Sequence, residues 1–69
     1  MEIKWHDGFA IEVKSNNKDV TISANREGLL SLAEQLTSLA EEIPGSHIHY
    51  DKYNSLEEES LELIIEKTK

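Results

Sequence analysis

His47 and His49, two positions apart, are the residues of this 69-residue chain best equipped for chemistry. They stand in Ser46-His47-Ile48-His49-Tyr50-Asp51, a run that reads as a strand. In a strand, residues i, i+2 and i+4 share a face, so His47, His49 and Asp51 point one way and Ile48 and Tyr50 the other. The two histidine Cβ atoms then lie roughly 6–7 Å apart. That separation suits chelation of zinc, with Asp51 or His6 as a third ligand. The same geometry also builds a polar face whose imidazoles stack, hydrogen-bond or meet a partner protein. A catalytic zinc site ordinarily takes three protein ligands and the spacing supplies two, so the binding face is the leading reading and metal the alternative.

Other chemistries find less support. There is no cysteine, which removes thiolate nucleophiles, thiolate metal sites and disulfides together. No serine sits on a glycine-flanked strand-to-helix elbow. Glu42-Ile43-Pro44-Gly45-Ser46 has too few glycines to cradle a phosphate. Glu57, Glu58 and Glu59 are consecutive in a polar stretch and read as solvated acids that add to a binding surface rather than as a catalytic pair. A chain this short with one helix leaves little room for an enclosed pocket of a few hundred cubic ångströms. No catalytic residue and no cofactor are expected. Trp5, Tyr50 and Tyr53 are the aromatic candidates for recognition, Tyr50 alternating toward the core and the other two closing its ends or anchoring a partner.

The histidine run has to be positioned by a helix and neighbouring strands. Asn25 caps a helix whose first turn carries Glu27, and Pro44 with Gly45 stops it. At about 100° per residue, Leu29, Leu32, Ala33, Leu36, Leu39, Ala40 and Ile43 form one apolar stripe, with Leu30 at its flank. Glu27, Ser31, Glu34, Gln35, Ser38, Glu41 and Glu42 fall opposite. Phe9 to Lys14 and Val20 to Ala24 alternate around the polar loop Ser15–Asp19 and predict an antiparallel hairpin. Met1 to Trp5 is a short candidate strand, and His6-Asp7-Gly8 a turn. Ser46 to Lys52 and Glu62 to Thr68 are the remaining strands. The expected fold is α+β, one domain over residues 1–69 in the order β-β-α-β-β, a four-stranded antiparallel-rich sheet with the helix on one face.

Charge narrows the partners. Fourteen acidic against seven basic residues give a net charge of −7. Nucleic acid is disfavoured, because phosphate contacts need clustered Lys or Arg. An acidic surface suits a basic protein partner, or simply keeps a small protein soluble. No stretch has the length and apolarity of a membrane span or the pattern of a secretion signal, so a cytoplasmic protein is expected. An open sheet face and unprotected strand edges also make a homodimer a candidate assembly, with Ile64 of the last strand at its interface.

Asn25-Arg26-Glu27-Gly28-Leu29-Leu30-Ser31-Leu32-Ala33, then Pro44-Gly45-Ser46-His47-Ile48-His49-Tyr50-Asp51, then Leu56-Glu57-Glu58 and Glu62 to Lys67, resembles the small bacterial immunity-protein family numbered thirty-two of polymorphic toxin systems. The likeness runs from about Val20 to the C-terminus and leaves Met1 to Gly8 unaligned. It implies a protein that neutralises a toxin encoded beside it by stoichiometric binding, without catalysis. The candidate binding residues are His47, His49, Asp51, Glu57, Glu58 and Glu59. A metal-binding or metal-regulated domain centred on the histidine pair, and a purely structural homodimer, are the competing functions.

Overall fold

The computed structural model describes residues 1–69. Its elements follow the expected order: β1 (Ile11–Ser15), β2 (Val20–Ala24), α1 (Arg26–Ala40), β3 (His47–Tyr50) and β4 (Leu63–Glu66). The strands do not join into one sheet, however. They form two separate antiparallel pairs, β1 with β2 and β3 with β4. The reason lies at the outer edge of β1. There the connection after β3 takes the backbone groups that a third strand would need. Glu57 N donates to Ile11 O at 2.9 Å, Leu61 N to Val13 O at 2.9 Å, and Val13 N to Ser60 Oγ at 3.1 Å. The acidic connection itself therefore occupies the edge of the first hairpin. Met1 to Trp5 is not a strand either.

The core is one cluster: Ile11 and Val13 of β1, Leu32 and Leu39 of α1, Ile48 and Tyr50 of β3, and Leu56 from the connection. Trp5, Phe9, Ala24, Leu63 and Ile65 pack around it. The alternations of β1 and β3 thus bury the expected faces.

The helix is rotated from its expected orientation. Its buried residues are Gly28, Ser31, Leu32, Gln35 and Leu39, while Leu29, Leu36 and Ile43 are exposed, Leu36 at 41% and Ile43 at 76%. Ser31 and Gln35 face inward because the N-terminal segment crosses the helix there and supplies polar partners. Ser31 Oγ accepts from His6 N at 2.9 Å and donates to Glu27 O at 2.8 Å. Gln35 Nε2 donates to Lys4 O at 2.8 Å, and its Oε1 accepts from the Tyr50 hydroxyl at 2.8 Å. Every buried side-chain polar atom has a partner, so burying these residues carries little desolvation penalty. Leu36→Ala is accordingly expected to shift stability by only about 0.5 kcal/mol, as exposed substitutions do. Superimposable urea melts of variant and parent would bear this out, and a loss of several kcal/mol would restore the original stripe.

Both helix ends are tied to distant chain. Asn25 Oδ1 accepts from Gly28 N at 2.8 Å, the expected cap, and also from Ala10 N at 3.0 Å, while its Nδ2 donates to Gly8 O at 2.8 Å. One side chain thus starts the helix and fastens it to the strand entering β1. Removing a cap of this kind costs about 0.5–2 kcal/mol, and the two extra ties place Asn25→Ala at the upper end of that range. Chemical denaturation measures it, with Asn25→Asp as a control that keeps the capping oxygen. At the other end the helix stops at Ala40, three residues earlier than Pro44 and Gly45 suggested. Lys67 Nζ donates to Ala40 O at 2.7 Å and Glu42 O at 2.6 Å. A cation reaching in from beyond β4 thereby satisfies the terminal carbonyls and the negative end of the dipole. Gly45, at φ +95°, then turns the chain into β3.

Candidate functional site

Tyr50 and Ile48 anchor β3 in the core, so His47 and His49 are held on the opposite, solvent face of the second hairpin. Pairing places Glu66 directly across from His47 and Ile64 across from His49. Residues opposite one another in an antiparallel pair share a face, so the outer surface carries His47, His49, Ile64 and Glu66. The two imidazoles meet edge to face, their centroids 5.0 Å apart, and a ring-to-backbone hydrogen bond of 3.2 Å joins His47 Nδ1 and Gly45 O. Ile64 is exposed beside them. This is a small mixed patch: two amphipathic rings, one aliphatic side chain and one carboxylate.

Asp51 does not join it. The strand ends at Tyr50, and Asp51 organises the turn that follows. Its Oδ1 accepts from Tyr53 N at 2.9 Å and Asn54 N at 3.0 Å, and its carbonyl accepts from Ser55 N at 3.0 Å and Leu56 N at 2.8 Å. An aspartate bonding the backbone two and three residues ahead is ordinary turn chemistry. His6, the other candidate third ligand, is held by the Glu34 carboxylate on the helix. No three His, Asp or Glu side chains converge as a metal site.

The acidic residues also divide. Glu57, Glu58 and Glu59 are exposed, with Glu59 at φ +68° in the turn that returns the chain along β1. Glu58 and Glu59 line a shallow hollow of about 270 Å³ with Asp51, Lys52, Tyr53 and Glu62, and neither histidine reaches it. Tyr53 stands almost wholly in solvent with Lys52 Nζ 5.3 Å from its ring centre. What was one candidate site along the sequence is two adjoining surfaces, the histidine face and the acidic turn. Glu66 was missed as a member of the histidine face. The period-two pattern of β4 puts it with Ile64, but only the pairing register brings both opposite the histidines.

An open groove of about 750 Å³ runs between the N-terminal segment and α1, lined by Glu2, Lys4, Glu34, Glu41 and Glu42 among others. The volume exceeds what the chain length suggested, but it is a surface trough and not an enclosed pocket. It adds a second acidic surface. The Met1 amino group lies 4.0 Å from Glu42, and Lys4 lies 3.6 Å from Glu2.

The surroundings of the Tyr50 phenol act on its acidity. Burial, which disfavours the phenolate, raises its pKa above the ordinary 10.0. The hydroxyl therefore serves as a fixed donor to Gln35.

These features define a small α+β domain with exposed acidic and histidine-bearing surfaces over a tightly satisfied core. The chain belongs to the Immunity protein 32 family, whose model matches residues 19–68. The match takes in β2, α1, the histidine strand and β4, and excludes the N-terminal segment and β1. No curated protein and no solved structure matches the chain.

Proposed function

We propose that this protein is a non-enzymatic immunity protein that neutralises a cognate bacterial toxin by stoichiometric binding. Membership of the Immunity protein 32 family carries the reading. The surface chemistry supports it. A net charge of −7, spread over the acidic turn and the groove beside α1, favours encounter with a basic protein. The histidine face, with Ile64 exposed at its centre, supplies the apolar and aromatic area on which interface energy usually concentrates.

Co-purification with the product of the adjacent reading frame tests this. A 1:1 complex that abolishes the toxin's activity is the expected result, and two proteins that neither associate nor affect one another would overturn it. In the same assay His47→Ala/His49→Ala is expected to weaken binding at least about tenfold, while shifting folding stability by less than about 0.5 kcal/mol. Zinc is expected to leave the melting temperature of the parent unchanged, because a ligand of the native state would raise it by mass action. A zinc-dependent rise that the double variant loses would replace the toxin-binding reading of this strand with a metal site.

A further inference from the structure

The free edge of β2 is unpaired and uncharged. Asn25 N donates to Ala10 O and Asn16 N to Asp19 O, which fixes the phase of the β1–β2 ladder. With the register Glu12↔Ser23 and Lys14↔Thr21, the even-numbered residues of β1 and their partners exchange the ladder bonds. The N–H and C=O groups of Val20, Ile22 and Ala24 therefore point outward, along an edge that no other strand pairs. Their side chains lie on the face shared with Ile11 and Val13, yet Val20 is 64% and Ile22 41% exposed. Charged residues, prolines or bulges normally guard such an edge. Here Val-Thr-Ile-Ser-Ala carries no charge, in a chain that is 30% charged. β4, by contrast, carries a charge within the strand itself, at Glu66.

We propose that a second copy of this chain pairs with that edge, β2 against β2 in antiparallel register centred on Ile22. The strand is self-complementary in this arrangement. Ile22 faces its own symmetry mate and Val20 faces Ala24, all with outward-pointing backbone groups, so each pair makes ladder bonds. Two molecules of net charge −7 repel over most of their surfaces, and this uncharged strand is a place where they can meet without opposing carboxylates. The two-fold axis stands perpendicular to the sheet, so both helices lie on the same side of a continuous β1-β2-β2-β1 sheet. Gly28 sits over Ala10, Ile11 and Ala24, placing the start of α1 between β1 and β2. Gly28 lies over the Ala24 end of the hairpin, so the two helix starts stand on opposite sides of the axis, about 10 Å apart across the strands and about 13 Å apart along them. Four strands in one sheet are recovered, but between two chains.

This assembly is independent of any toxin, and its test uses the full chain alone. Sedimentation equilibrium from low to high micromolar concentration is expected to show a species of twice 7.9 kDa. Ile22→Lys sets two ammonium groups across the axis and is expected to return the protein to monomer with its circular dichroism unchanged. If Ile22→Lys fails to fold, Val20→Lys, nearer the turn, reads out the same loss. Because the chain has no cysteine, Ile22→Cys also reports the register directly: facing Cα atoms in a ladder-bonded pair lie about 5.5 Å apart, within disulfide range, so oxidation should give a covalent dimer. A monomer at every concentration would overturn the proposal. So would a dimer that survives Ile22→Lys and dissociates on Ile64→Lys, or that cross-links through Ile64→Cys and not through Ile22→Cys.

Discussion

Tyr50→Ala is expected to cost more stability than any other single substitution considered for this protein. Tyr50 is 1% exposed, stacks edge-on to Trp5 with ring centres 6.2 Å apart, and donates its hydroxyl to Gln35. Truncating a buried aromatic ring costs about 3–5 kcal/mol through lost burial and the cavity left behind. Typical stabilities scale to about 3–10 kcal/mol for a domain of this size, so the substitution removes at least about a third of the margin and, at the lower end of that range, all of it. Tyr50→Phe separates the two contributions. It keeps the ring and strands Gln35 Oε1 in the core, for a loss of about 1–3 kcal/mol. Urea denaturation of the three proteins gives the series. Equal losses for Phe and Ala would mean that the ring itself contributes nothing, contrary to its place in the cluster.

The same hydroxyl predicts a loss of stability in alkali. Burial holds the Tyr50 pKa above 10.0 in the folded state, so near that pH the folded protein keeps a proton that the unfolded chain gives up. This contribution is complete below the ordinary tyrosine pKa, and it is lost as pH rises from there through the raised folded value. Tyr50→Phe has no such proton, so its stability should fall less steeply than the parent's above about pH 10. Parallel slopes would show that Tyr50 titrates alike in both states.

What the sequence disclosed follows the range of the forces involved. The cap at Asn25 and the alternations Ile11/Val13 and Ile48/Tyr50 are local signals, and each appears where expected. The helix face was misread because hydropathy ranks Leu36 above Gln35. Gln35 is buried only because Lys4 O and the Tyr50 hydroxyl, 31 and 15 residues away, complete its hydrogen bonds. A polar side chain with such partners loses little on burial, and an exposed leucine costs little, so periodicity could not decide the rotation. The split sheet has a similar origin. Nothing local in Glu57–Leu61 announces that its amides bond to the edge of β1. At the candidate site, His47 and His49 were legible from spacing, whereas the withdrawal of Asp51 into a turn and the arrival of Glu66 depend on strand ends and register.

Gly28→Ala is the sharpest remaining test of how the helix meets the first hairpin. At an exposed helical position this exchange stabilises by about 1 kcal/mol, since alanine gives up less backbone entropy and is the better helix former. Here a Cβ would stand 2.8 Å from Ala10 O, 2.9 Å from Ile11 Cγ1 and 3.1 Å from Ala24 Cβ. The nearest of these is backbone, held between the entry to β1 and the Asn25 cap, so it cannot swing aside as a long side chain would. The helix must lift from the hairpin, loosening Leu32 and the capping bonds together. Overpacking of this kind costs about 1–3 kcal/mol, and it outweighs the gain in propensity. Denaturant melts should therefore show Gly28→Ala less stable than the parent. The same exchange at Gly8, where nothing lies within 4 Å, meets only the strain of a φ of +81°. If Gly28→Ala were instead stabilising, the helix would not approach β1 and β2 as closely as its glycine allows, and the placement of α1 between those strands would have to be redrawn.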